Sequence, residues 1–259
     1  MEYIIVFIFG AIIGSFLNVC IYRLPLGLSI VKPRSFCPFC EHPIKWFENV
    51  PFLSYLVLRG RCRYCHLPIS FRYFLVELTT ALSGVGLFFY RVHYGLPLEW
   101  FFVYAFFTAI LIAIIFIDIE HQEIPDIISI PGIVVGILLT TIFRTDGSTA
   151  YMGSFLNSAF GVLAGGGSMF LLGVFGELVF KKEALGGGDV KLMGMIGAFL
   201  GWKLVLLTFF LAPVLGSGVG IFMKIKFKKE VIPYGPYLAL GALASLLYGN
   251  KILEYIFGY

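Results

Sequence analysis

Apolar residues run in long stretches through most of this 259-residue chain, and polar residues gather in the short segments between them. An α-helix needs about 20 apolar residues to cross a ~30 Å hydrocarbon core. The pattern therefore predicts about eight membrane helices, near 3–22, 73–90, 98–117, 127–143, 153–180, 190–201, 204–223 and 234–250. The sixth run is short for a span, and is expected to start within the membrane surface or to merge with Gly201-Trp202-Lys203 through a tight turn. Pro125 and Pro131 set the start of the fourth. Glycines such as Gly161, Gly165, Gly197 and Gly201 stud the later runs, where small residues let helices approach closely. The first run opens with Met1-Glu2 and no basic leader, so it is expected to stay as a span.

Composition agrees with a membrane protein. The chain is 59% hydrophobic and 13% charged, whereas roughly 25% charged is ordinary for a soluble domain. Its net charge of +4 is too small to point to a nucleic-acid partner. The distribution of charge says more: fifteen of the 19 Lys and Arg residues fall in 23–72, 181–191 and 224–229. By the positive-inside rule these segments and 118–126 face the cytoplasm, with the N-terminus outside. The expected fold is thus all-α and polytopic: a first span (1–22), a cytoplasmic module (23–72) and a polytopic domain (73–259).

The module carries Cys37-Pro-Phe-Cys40 and Cys62-Arg-Tyr-Cys65, and its two halves repeat at an offset of 25 residues. Two such knuckles facing each other offer four thiolates in a tetrahedron, the ligand set of a structural zinc ribbon. A segment this small builds little core, so a metal would hold it folded. Competing readings are two disulfides, a membrane thiol–disulfide relay, and covalent haem at Cys62-Arg-Tyr-Cys65-His66. A cytoplasmic location argues against all three. Cys20, alone in the first span, reads as a packing residue.

Two aspartates carry the candidate chemistry. Asp118 opens Asp118-Ile-Glu-His-Gln-Glu-Ile-Pro-Asp126, and Asp189 follows Gly186-Gly187-Gly188. Ionisable groups at a membrane are costly and are kept for function. Asp118 ends the third span and Asp189 opens the sixth, so the predicted topology puts both on one face. Paired carboxylates there can share a proton and activate water, as in an aspartic protease. Gly186 and Gly188 let the chain come close to a substrate, and Lys191 is a candidate to bias the pair towards one charged and one neutral member.

These motifs resemble the bacterial type IV prepilin peptidases. Gly186-Gly187-Gly188-Asp189 matches the family's G-x-G-D signature, and Asp118, seven residues before Pro125, matches its other aspartate. The stretch Gly14-Ser15-Phe16-Leu17-Asn18-Val19-Cys20-Ile21-Tyr22-Arg23-Leu24-Pro25 and the cysteine module resemble the family's methyltransferase region. The resemblance implies an enzyme of the bacterial inner membrane that cuts the basic leader from prepilins or pseudopilins. It would then methylate the new α-amine with S-adenosylmethionine, using a site among Ser15, Asn18, Arg23, Gly60 and Glu77. Alternatives are a presenilin-like intramembrane protease, which shares the G-x-G-D element, the thiol relay, and a scaffold without catalysis.

Overall fold

The computed structural model describes residues 1–181, 186–227 and 233–258, so the expected cytoplasmic segments 181–189 and 224–233 lie partly outside the described residues. Among these residues eight α-helices form: α1 (Glu2–Arg23), α2 (Leu53–Val57), α3 (Phe71–Tyr94), α4 (Leu98–His121), α5 (Asp126–Phe143), α6 (Tyr151–Phe180), α7 (Gly187–Phe227) and α8 (Gly235–Phe257). Among the described residues there is no β-strand, only two isolated bridges in the cysteine module. Six helices of the described residues (α1 and α3 to α7) are long and apolar enough to cross a membrane. The expected sixth and seventh spans are the two parts of α7, which turns back at Gly201 (φ 76°, ψ 174°) so that a Cβ on Gly165 would meet both the Met193 carbonyl oxygen and the Val205 side chain; the eighth lies in α8.

The chain divides into two compact units, Met1–Phe116 and Ile117–Tyr259. In the first, α1 packs on α3 through its small face: a Cβ on Gly10 would lie 2.7 Å from Ala81 Cα, and one on Gly14 would lie 2.7 Å from Glu77 Cα. The opposite face of α1, with Ile4, Ile8, Phe9, Ile12 and Phe16, is exposed, as a lipid-facing surface is. Ser70 caps α3 by accepting the Arg72 amide, and Gly95 ends it in the left-handed conformation at φ 64°.

In the second unit, α7 packs against α5, α6 and α8. Its contact with α6 is made through glycines: a Cβ on Gly161 would strike the Gly197 carbonyl oxygen, and one on Gly197 would strike that of Gly161. Ser158 Oγ donates to the Ala198 carbonyl at 2.6 Å beside this crossing. Where α7 breaks, the Asn157 side chain fills the space a Cβ on Gly201 would need. Asn157, Ser148 and Ser154 all donate to Asp146. Burial alone would push the Asp146 carboxyl up, but these hydrogen bonds outweigh it and hold it below its ordinary value.

Gly161→Ala is expected to force α6 and α7 apart and lower the thermal unfolding midpoint in detergent. Overpacking of this kind costs about 1–3 kcal/mol. An unchanged midpoint would show that the two backbones do not meet there.

Candidate active site

The module repeats in space as it does in sequence. Cys37 N–H donates to the His42 carbonyl and Glu41 N–H to that of Cys37; twenty-five residues on, Cys62 N–H donates to Leu67 and His66 N–H to Cys62. Glu41 and His66 both turn through positive φ, at 56° and 58°. The repeat extends to Ile44 N–H on the Ser35 carbonyl and Ile69 N–H on the Gly60 carbonyl. Gly60 itself sits at φ 66°, with the Tyr55 hydroxyl 2.9 Å from where a Cβ would be. This gives Gly60 a conformational and packing reason to be glycine.

The two knuckles bring four sulfurs together. Cys37 Sγ lies 3.8 Å from Cys65 Sγ, Cys40 Sγ lies 4.0 Å from Cys62 Sγ, and all four fall within 4.8 Å of one another. Zn–S bonds of about 2.3 Å in a tetrahedron put sulfurs ~3.8 Å apart, so the four can hold one metal ion. All five cysteines are free thiols. The thiols differ in acidity. The Cys65 and Tyr64 amides pull Cys62 down to about 7. The Leu67 amide favours the Cys65 thiolate, but burial and the three neighbouring sulfurs outweigh it and push that thiol up to about 11.

Beside the module, a cavity of about 560 Å³ is lined by Ser15, Arg23, Arg34, Trp46 and Asn49, among others. Arg23 is buried and holds the loop in front of it, donating to the Ser29 carbonyl at 2.9 Å and the Arg34 carbonyl at 3.4 Å. Behind the cavity wall, Glu77 is buried, accepts the Phe52 amide at 3.0 Å and is hydrogen-bonded by Ser15. Asn18 donates to the Tyr73 carbonyl at 3.0 Å, while its buried Oδ1 has no partner among the described residues. Of the residues singled out in sequence, Ser15 and Arg23 thus line the cavity, and Glu77 and Asn18 lie near Ser15. Gly60 belongs to the second knuckle.

The aspartates meet in the second unit. Asp118, in the last turn of α4, is 5% exposed. Its Oδ2 accepts the Gly235 amide at 2.8 Å, at the start of α8. Asp189, in the first turn of α7, is half-buried and donates its amide to the Gly186 carbonyl at 3.1 Å. The charge of Asp118 acts on Asp189, and that of Asp189 acts on the Tyr234 phenol. Gly188 faces Ile124, whose Cβ lies 3.0 Å from where a Cβ on the glycine would be. Lys191 is engaged elsewhere: its Nζ lies 2.6 and 2.7 Å from the two oxygens of Asp126. It ties the start of α7 to the start of α5, while Asp118 takes its partner from the start of α8 and Asp189 from the Gly186 backbone. Tyr234 and Gly235 belong to no motif that the sequence singles out. The only signal is Gly235-Pro236, a helix start.

A polytopic helical protein that holds two mutually interacting carboxylates in one unit and carries a four-cysteine module in the other has the parts of a membrane aspartic peptidase. The comparisons with known proteins agree. The chain belongs to the type IV leader peptidase family: the model of that name matches residues 105–221, and the model for the bacterial peptidase A24 N-terminal domain matches residues 8–91. Proteins named prepilin leader peptidase/N-methyltransferase are similar along nearly the whole chain. That of Aeromonas hydrophila is 36% identical over 97% of this chain and 92% of its own length. That of Legionella pneumophila is 32% identical over 99% and 95%. The Myxococcus xanthus protein is 41% identical over 85% of this chain and 62% of its own length. No solved structure matches.

Proposed function

We propose that this chain removes the leader of type IV prepilins with Asp118 and Asp189 as its catalytic pair, and then methylates the α-amine that cleavage exposes. The observation that carries the peptidase reading is that two carboxylates, from the end of α4 and the start of α7, lie close enough for the charge of Asp118 to act on Asp189, with Asp118 held by the Gly235 amide. In such a pair the ionised carboxylate takes a proton from the attacking water. The protonated one hydrogen-bonds the scissile carbonyl and delivers its proton to the leaving nitrogen. The excess of Lys and Arg in 23–72 and in the loops near both aspartates supports a site facing the cytoplasm of a bacterial inner membrane. A prepilin's basic leader would stay on that side, with its apolar helix in the bilayer.

Zinc is the ion that best fits the four cysteines, because thiolates select it and the sulfur spacing suits its tetrahedron. Bound there it cross-links the two knuckles. The cavity beside the module suits S-adenosylmethionine: ligand sites run from about 300 to 1,000 Å³, and Trp46 in its lining offers a ring for adenine. S-adenosylmethionine supplies an electrophilic methyl group. Glu77, held by Ser15, takes the proton that the pilin amine loses before it attacks.

Trp46→Ala is expected to weaken S-adenosylhomocysteine binding by about tenfold or more in calorimetry, since a base–aromatic stack is worth roughly 1–3 kcal/mol. Unchanged affinity would move the donor site elsewhere. The double activity itself is read by mass spectrometry of a prepilin incubated with the protein and S-adenosylmethionine. Loss of the leader and gain of one methyl group is the expected result.

A further inference from the structure

Asp118 stands at an unfavourable place for a carboxylate. It lies in the last turn of α4, where the helix dipole and free carbonyls repel negative charge. Its compensation comes from α8. Pro236, at the first positions of that helix, has no N–H, and the Tyr237 and Leu238 amides both turn back to the Tyr234 carbonyl, at 3.0 and 3.2 Å. The Gly235 amide is left pointing out of the helix end, and Asp118 Oδ2 receives it at 2.8 Å in a buried setting. Gly235 is not among the residues at positive φ, so backbone conformation does not demand glycine there. Space does: a Cβ at 235 would lie 2.7 Å from Asp118 Oδ2 and 3.2 Å from Cγ. Ile124 closes one side, with its Cδ1 3.4 Å from the same point, and it also packs on Gly188 beside Asp189.

We infer that the Gly235 amide is a positioning donor for Asp118, holding one carboxylate oxygen so that the other is free for water, and that position 235 must lack a side chain for this to work. The inference rests on the reading of Asp118 as catalytic. A fixed backbone donor needs no reorganisation during reaction, and the same contact keeps the carboxylate from turning away from Asp189. Tyr234, next to it and within the field of Asp189, makes the start of α8 a third wall of the site.

The test compares purified full-length wild type, Gly235→Ala, Pro236→Ala and Asp118→Asn on two substrates, a prepilin and a pilin peptide already lacking its leader. Gly235→Ala is expected to lower kcat for leader cleavage by about 100-fold, the scale of a 1 Å misplacement. Its KM and its methylation of the leaderless peptide stay at wild-type values. Pro236→Ala, which leaves the Gly235 amide where it is, keeps wild-type kcat. Wild-type cleavage by Gly235→Ala, alongside an inactive Asp118→Asn, overturns the inference. So does a rise in KM with kcat kept, parallel loss of both activities, or equal damage from Pro236→Ala, since each assigns Gly235 to packing. Cleavage by Asp118→Asn overturns the catalytic reading of Asp118, and the inference with it.

Discussion

Replacing Asp118 or Asp189 by asparagine is expected to remove leader cleavage, each substitution lowering the rate by about 10³-fold or more. General acid–base catalysis by one placed group is worth roughly 10²–10⁴-fold, and here the two carboxylates divide a single task. Asparagine preserves shape and can still accept the Gly235 amide, so the loss reports on proton transfer. Because both groups act in one step, the double variant is expected to be about as slow as either single one. Rates from quantitative mass spectrometry of prepilin processing give all three numbers. Independent, multiplying losses would mean that the two residues serve different steps.

Removing the metal is expected to abolish methylation and unfold the module while leader cleavage continues. Between 24 and 72 the buried residues are Cys37, Gly60 and Cys62, so the segment has no apolar core of its own. Two hairpin-like knuckles joined by four sulfurs are what remains to hold it. A structural zinc contributes on the order of 10–16 kcal/mol in small peptides, far more than those few contacts supply. Chelation, or Cys62→Ser, should therefore free 24–72 to rapid amide exchange and proteolysis. The aspartates lie in a separate compact unit, 117–259, whose packing between α5, α6, α7 and α8 involves none of the cysteines. Methylation that survives full chelation would detach the module from that activity.

Side chains announced most of this in the sequence. The apolar runs marked the helices because lipid leaves a spanning backbone no other way to satisfy its polar groups. The 25-residue repeat of Cys37/Cys40 in Cys62/Cys65 returns as a repeat of backbone hydrogen bonds, since each knuckle is a local structure. The tight turn expected at Gly201-Trp202-Lys203 is the break at Gly201, where Asn157 fills the bend. Two features were not legible. Lys191, two residues from Asp189, reaches Asp126 instead, a partner 65 residues away that only the fold brings close. The Gly235 amide is a backbone group, identical in every non-proline residue, so nothing in the letter G foretells that it meets a carboxylate 117 residues earlier. The cavity beside the module is also a product of packing: Arg23 makes it by pinning the chain at Ser29 and Arg34.

The most direct measurement is to give one preparation of Asp189→Asn two substrates, a prepilin and a leaderless pilin peptide, with S-adenosylmethionine, and to read both products by mass. An intact leader on the first substrate and one added methyl group on the second is the result expected of a catalytic aspartate in a folded two-activity enzyme. A cleaved leader would contradict the pairing of Asp118 with Asp189 on which this account stands.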